Sequence, residues 1–135
     1  GANYGWPYYE GANGTSVVNT RYRNTPEGDA FFAQNVTVDA PLYALSHQAD
    51  GINAIVLGDV SRGGYYGDAF DGDLFFNDLG QGIVRHASLD ADGQVVDVNT
   101  FTTGANVVVA MREGPDGAMY YVDLDDNLIG RWEIV

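Results

Sequence analysis

The sequence predicts an all-β fold, a propeller fragment of about two four-stranded antiparallel blades. Three observations predict it. From residue 51 onward, short β-rich runs alternate with Gly, Asp and Asn punctuation, and apolar residues nowhere recur there at helical spacing over three turns. Within that region Gly72-Asp73-Leu74-Phe75-Phe76-Asn77-Asp78-Leu79 lies over Gly117-Ala118-Met119-Tyr120-Tyr121-Val122-Asp123-Leu124, an offset of 45 residues. The match runs on without a gap, with Ile83-Val84 falling on Leu128-Ile129 and Leu89 on Ile134. A period of about 45 residues holding four short strands is what one blade occupies, whereas helical solenoids of similar period need amphipathic helices.

Taken in order, strands are expected over 53–60, 73–79, 83–90, 94–101, 107–113, 118–124 and 128–135. Each is bounded by a turn signal such as Gly80-Gln81-Gly82, Asp92-Gly93 or Asp116-Gly117, where residues that tolerate positive φ reverse the chain. Residues 51–103 then form one blade, and 104–135 supply three strands of a second. Residues 1–50 read as an irregular N-terminal segment. Within it 26–38 has room for one helical turn around Phe31-Phe32, and 40–46 reads as a connector or edge strand.

Composition narrows the function classes. The 135 residues are 45% hydrophobic, enough for a packed core, and no apolar run approaches the length of a membrane span. Nineteen acidic residues face six arginines and no lysine, for a net charge of -13. A phosphate backbone or an anionic bilayer is repelled by such a surface, so neither nucleic acid nor membrane is expected as a partner. The acidity fits a secreted or periplasmic bacterial protein kept soluble in salty surroundings. The lack of cysteine excludes disulfides, thiol catalysis and thiolate metal sites. Sequons stand at Asn13 and Asn35, and they matter only in a eukaryotic secretory pathway.

Each blade buries both faces against neighbours, so two blades alone leave apolar faces open. The expected partners are therefore the remaining blades of a longer chain, or other copies of this one. A homotrimer is the simplest ring of copies.

Asn3-Tyr4-Gly5-Trp6-Pro7, followed by Glu10-Gly11, resembles the Asn-Tyr-Gly-Trp-Pro segment of the glucose/sorbosone dehydrogenase family, the soluble quinoprotein sugar dehydrogenases. Three stretches support the resemblance in the same order: Pro41-Leu42-Tyr43-Ala44-Leu45-Ser46-His47, Val60-Ser61-Arg62-Gly63-Gly64, and Gly114-Pro115-Asp116-Gly117 leading into Ala118-Met119-Tyr120-Tyr121. The resemblance implies a six-bladed propeller. For the full-length parent it also implies pyrroloquinoline quinone (PQQ) and calcium at the mouth of the channel, with a histidine as general base for oxidation of a sugar hydroxyl or aldehyde. The family's histidine and its calcium-binding Gly-Pro segment fall outside the matched stretches, so neither His47 nor His86 inherits catalysis. No cofactor is assigned to the isolated chain. Cofactor contacts carried over fall on Arg62, Tyr65 and Tyr66; the two tyrosines stand where the family places a lysine. Asn106-Val107-Val108-Val109-Ala110 replaces the arginines the family places ahead of its Pro-Asp-Gly turn, although an anionic quinone needs such cations.

Other candidates come from the residues themselves. Tyr4, Trp6, Tyr8 and Tyr9 offer either an aromatic platform for a sugar ring or packing against a blade. With His47 they make Tyr4 and Trp6 the candidate substrate-binding positions. Asp68, Asp71 and Asp73, spaced by Gly67 and Gly72, carry the oxygen ligands and pliant backbone calcium favours, and they read equally as a solvated Asp/Gly turn. His86 alternates with Arg85 along a strand and is expected to face solvent. Two functional readings follow. One is a partial propeller domain of a quinoprotein sugar dehydrogenase-like protein, inactive in isolation; the other is a non-catalytic propeller module for carbohydrate binding or self-assembly.

Overall fold

In the second half of the chain the alternating runs become two antiparallel sheets. The computed structural model describes residues 1–12, 15–105 and 107–134. Its chain divides into two units, Gly1–Asp50 and Gly51–Val135. Asn13, Asn106 and Val135 lie outside the described residues, and with them one sequon and the end of the seventh expected strand.

The second unit carries strands β3 (Ile55–Val60), β4 (Leu74–Asp78), β5 (Ile83–Leu89), β6 (Val95–Thr103), β7 (Val108–Glu113), β8 (Met119–Asp123) and β9 (Leu128–Arg131). Among the described residues they form a four-stranded sheet in the order β3-β4-β5-β6 and a three-stranded sheet in the order β7-β8-β9. All neighbours pair antiparallel. These are the two blades of a propeller fragment. The last strand stops at Arg131 rather than 135, and the amide of Trp132 donates to the carbonyl of Met119 at 3.2 Å.

Register explains how the repeat is built. Phe75 pairs with His86 and Asn77 with Val84; in the other sheet Tyr120 pairs with Arg131 and Val122 with Ile129. The 45-residue offset therefore holds through both strand pairs. The leading strands do not follow it, since Ile55 stands opposite Asp78 and Val108 opposite Asp123, an offset of 53. The connection from β3 to β4 runs over 61–73 and that from β7 to β8 over 114–118. The first is eight residues longer, which accounts for the difference.

Because side chains alternate along a strand, Phe75, Asn77 and Val84 share the face of the first sheet turned to the second. Val108, Met111 and Met119 meet them, and all six are fully buried. Tyr66, Phe70, Phe101, Tyr121 and Trp132 complete this core. Phe75 and Phe101 rings cross edge-to-face at 5.0 Å, and Tyr121 stacks on Trp132 at 4.2 Å. Such contacts add to the area term that drives the sheets together. Asn77 ties the sheets through a buried hydrogen bond from its Nδ2 to the carbonyl of Val108, 3.0 Å. Phe76 and Tyr120 fall on the opposite faces of their sheets, so the aromatic pairs of the repeat are split between the two sides.

The first unit is more regular than the sequence suggests. A hairpin pairs β1 (Tyr9–Ala12) with β2 (Thr15–Val18), and two helices follow, α1 (Thr20–Arg23) and α2 (Pro26–Ala33). The helix expected as a single turn runs for eight residues. Thr25 caps it by accepting from the amide of Gly28 at 3.0 Å, with Pro26 in the first turn, where its missing N–H costs nothing. Its Phe31 and Phe32 pack on Tyr8 and Tyr9, with Tyr8 stacked on Phe31 at 4.5 Å and Tyr9 edge-on to Phe32 at 5.4 Å. Residues 36–45 form no strand and act as a connector. No helix among the described residues is long and apolar enough to cross a membrane.

Candidate functional site

Three of the segments that connect strands, 61–73, 90–94 and 114–118, leave the sheets at one end of the second unit, because each follows a strand running the same way. The long 61–73 connection carries Arg62, Tyr65, Tyr66, Asp68, Asp71 and Asp73. It crosses from the first sheet to the second. The amides of Arg62 and Gly63 both donate to Glu113 Oε2, at 2.5 and 3.1 Å. Gly63 lies backbone to backbone on Gly117, where a Cβ would stand 2.2 Å from the Gly117 Cα. Gly117 itself has φ +81°, the left-handed region that glycine occupies without strain.

Beyond that crossing the two tyrosines diverge. Tyr66 turns into the core, where its hydroxyl accepts the amide of Met119 at 2.8 Å and donates to the carbonyl of Trp132 at 3.2 Å. Burial pushes this hydroxyl above its ordinary pKa, which keeps it protonated and able to donate. Tyr65 stays outside and donates to Glu133 Oε2 at 2.5 Å. The hydrogen bond to that carboxylate raises the Tyr65 pKa and, together with Arg131, lowers that of Glu133. Arg131 binds Glu133 Oε1 through Nε at 2.8 Å and through Nη2, and it reaches Asp116 Oδ2 through Nη1 at 2.6 Å. Its guanidinium also lies 5.5 Å from the Tyr65 ring centre, within cation–π range. Asp116 is partly desolvated, which alone would raise its pKa. Hydrogen bonds from Arg131, the Ala118 amide and the Tyr120 hydroxyl outweigh that and hold it low.

Chemically this is a clasp between sheets. The charge of Arg131 is matched by two carboxylates, and the Arg62 guanidinium lies 3.9 Å from Asp59. Replacing Tyr66 by phenylalanine is expected to cost about 1–3 kcal/mol, because the buried Met119 amide loses its acceptor. Urea unfolding of the variant checks this, and an unchanged midpoint would sink the assignment of Tyr66 as a strut.

The three aspartates do not gather. Asp73 turns inward and is nearly buried, where its Oδ2 meets His86 Nδ1 at 2.5 Å and accepts from Ser88 Oγ at 3.1 Å. Asp68 opens a 3-10 turn, Asp68–Phe70, and Asp71 closes it by donating its amide to the Asp68 carbonyl. Among the described residues no three His, Asp or Glu side chains are grouped to hold a metal ion. His86 does not face solvent as the alternation suggests. Its side chain is mostly buried, paired with Asp73 and set edge-on to Phe70 at 4.9 Å, because its face of the strand is the one covered by the core.

Tyr4, Trp6 and His47 belong to the first unit, and all three are exposed. The segment holding Tyr4 and Trp6 is a turn: Tyr8 and Tyr9 donate their amides to the Gly5 carbonyl at 2.9 and 3.0 Å. Asn3 and Asp39 exchange two further bonds, 3.0 Å from the Asn3 amide to Asp39 Oδ2 and 2.7 Å from the Asp39 amide to the Asn3 carbonyl. Tyr8 and Tyr9 pack on Phe31 and Phe32. Trp6 instead approaches Tyr22 at 6.3 Å. The clasp residues Asp116, Tyr120, Arg131 and Glu133 escape a reading of the sequence; the one signal is that the repeat lays Arg131 over His86, so each blade places a nitrogen-bearing side chain paired with a carboxylate at the same strand position.

A crystal structure of glucose dehydrogenase matches over 100% of this chain with a TM-score of 0.58 and 22% identity, and the chain spans 36% of that protein's length. The likeness establishes a common fold. No family model and no curated protein sequence matches the chain.

Proposed function

We propose that this chain is a two-blade segment of a glucose/sorbosone dehydrogenase-like propeller, in which these blades serve as framework rather than as the catalytic surface. The observation that carries the reading is the pair of sheets related by the 45-residue repeat, in a fold shared with a glucose dehydrogenase. The order of the Asn3–Pro7, Pro41–His47, Val60–Gly64 and Gly114–Tyr121 stretches supports it. The framework role rests on Tyr65 and Tyr66, whose hydroxyls are spent on Glu133, Met119 and Trp132.

A second reading, a carbohydrate-binding module without catalysis, is favoured by the exposed Tyr4 and Trp6 on their braced turn. One assay separates these readings from an active enzyme. With glucose, quinone, calcium and a redox dye, the purified chain is expected to give no reduction above a protein-free control. Quinone-dependent reduction would overturn the framework role, and quenching of tryptophan fluorescence by glucose without dye reduction would select the binding module.

A further inference from the structure

We propose that Trp6, Tyr22 and Arg21 of the first unit form a binding site for acidic sugars, oligosaccharides built of uronic acids. The inference rests on the carbohydrate-binding reading of Tyr4 and Trp6 and names the ligand class of that site. Trp6 is 68% exposed and Tyr4 54%. The Trp6 ring stands 6.3 Å from that of Tyr22 at an angle of 58°. The Arg21 guanidinium carbon lies 5.8 Å from the Tyr22 ring centre, within cation–π range. One residue ties these groups together. The Asn19 amide donates to the Tyr8 carbonyl at 2.8 Å, which joins the start of α1 to the turn that carries Trp6, and Asn19 Oδ1 accepts the amide of Arg21 at 3.1 Å.

Arg21 decides the ligand class. Arg23, Arg62 and Arg131 each pair with a carboxylate, and Arg85 and Arg112 hydrogen-bond Gln81 and the carbonyls of Gly58 and Met111. Among the described residues the Arg21 guanidinium has neither kind of partner, although the chain holds 19 acidic residues. Glu10, on the strand beside the turn, takes a hydrogen bond from Asn19 Nδ2 at 3.3 Å instead. A uronic acid uses both features: the apolar CH face of its ring packs on an aromatic ring, and its carboxylate takes the paired N–H groups of the guanidinium. A neutral sugar uses the rings alone. The net charge of -13 repels an acidic ligand at a distance, and salt near physiological strength confines that repulsion to about 8 Å. At contact the local cation prevails.

Calorimetric titration of the purified chain with trigalacturonate and with its fully methyl-esterified form, at matched ionic strength, tests this, because the two ligands differ in charge and share their rings. The acid is expected to bind about five-fold more tightly than the ester, the upper end of what an exposed ion pair contributes. Arg21→Gln is expected to abolish that preference and leave ester binding unchanged, while Arg21→Lys, which keeps the charge without the fork, retains part of it. Trp6→Ala is expected to lose both ligands. All three substitutions are at exposed positions, and circular dichroism checks that the variants fold. An ester that binds as tightly as the acid, or a preference that survives Arg21→Gln, would overturn the proposal and leave the carbohydrate-binding reading standing. Full affinity in Trp6→Ala would overturn the site. A wild type that binds neither form would overturn the proposal and the carbohydrate-binding reading together.

Discussion

Phe75→Ala is expected to destabilise the second unit by about 3–5 kcal/mol, the range for removing a large ring from a packed interior. Phe75 is fully buried. Its ring lies 5.0 Å from Phe101, 6.1 Å from Tyr66 and 6.1 Å from His86. The three stand on different segments, β6, the 61–73 connection and β5, so none can slide into the space without dragging its own backbone. The loss would consume a large share of the roughly 5–15 kcal/mol that holds a domain together. Leu57→Ala gives the contrast: that side chain is exposed, and its loss is expected to fall within about 0.5 kcal/mol. Urea midpoints for the two variants check the pair. If Phe75→Ala fails to fold, Phe75→Leu keeps most of the volume and is expected to cost about 1.5 kcal/mol or less. Equal midpoints for the wild type and both Phe75 variants would show that the space between the sheets is not the core.

The second unit was legible because its strands announce themselves locally. Phe75-Phe76 and Tyr120-Tyr121 sit at the same distance from an Asp and a Gly-rich turn, so the repeat could be read without knowing any contact. Its leading strands were harder to align, since the eight extra residues of the 61–73 connection shift β3 against β7. The first unit hid its hairpin and helices for a different reason. Tyr9–Ala12 shows no clean alternation, α1 is a four-residue turn, and both are held by rings at a distance in sequence, Tyr8 on Phe31 and Tyr9 on Phe32. His86 marks a further limit. Alternation assigned it to one face of a strand, but which face is wet depends on where the second sheet lies. The clasp was invisible for the same reason, as Tyr65 meets Glu133 across 68 positions.

Asp78 tests how the turns of the repeat stabilise the blades. Its carboxylate is fully buried; Oδ1 accepts the amides of Asn53 and Ala54 at 2.8 and 2.7 Å, and Oδ2 accepts that of Gln81 at 2.9 Å. One side chain thus closes the β4–β5 turn and fixes the approach to β3. Burial alone would raise its pKa, but the backbone donors outweigh it and hold the group below the ordinary 3.8. A carboxyl held low in the folded state adds stability that is fully present above its unfolded value and lost as pH falls through its folded value. The window therefore lies below about pH 4. Asp78→Ala strands three amides and is expected to cost about 3–5 kcal/mol at neutral pH. Asp78→Asn keeps the shape and an acceptor for Asn53 and Ala54 but turns an amide donor toward Gln81, for an expected cost of about 1–3 kcal/mol. Among the described residues the counterpart Asp123 accepts from Asp125 and Asp126 within its own turn, at 2.9 and 3.1 Å. Unfolding free energies of the wild type and Asp78→Asn, measured from pH 7 down to 3, are expected to stay a constant distance apart until about pH 4 and then converge. Curves that remain parallel throughout would show that the Asp78 carboxylate is not held ionised by these amides.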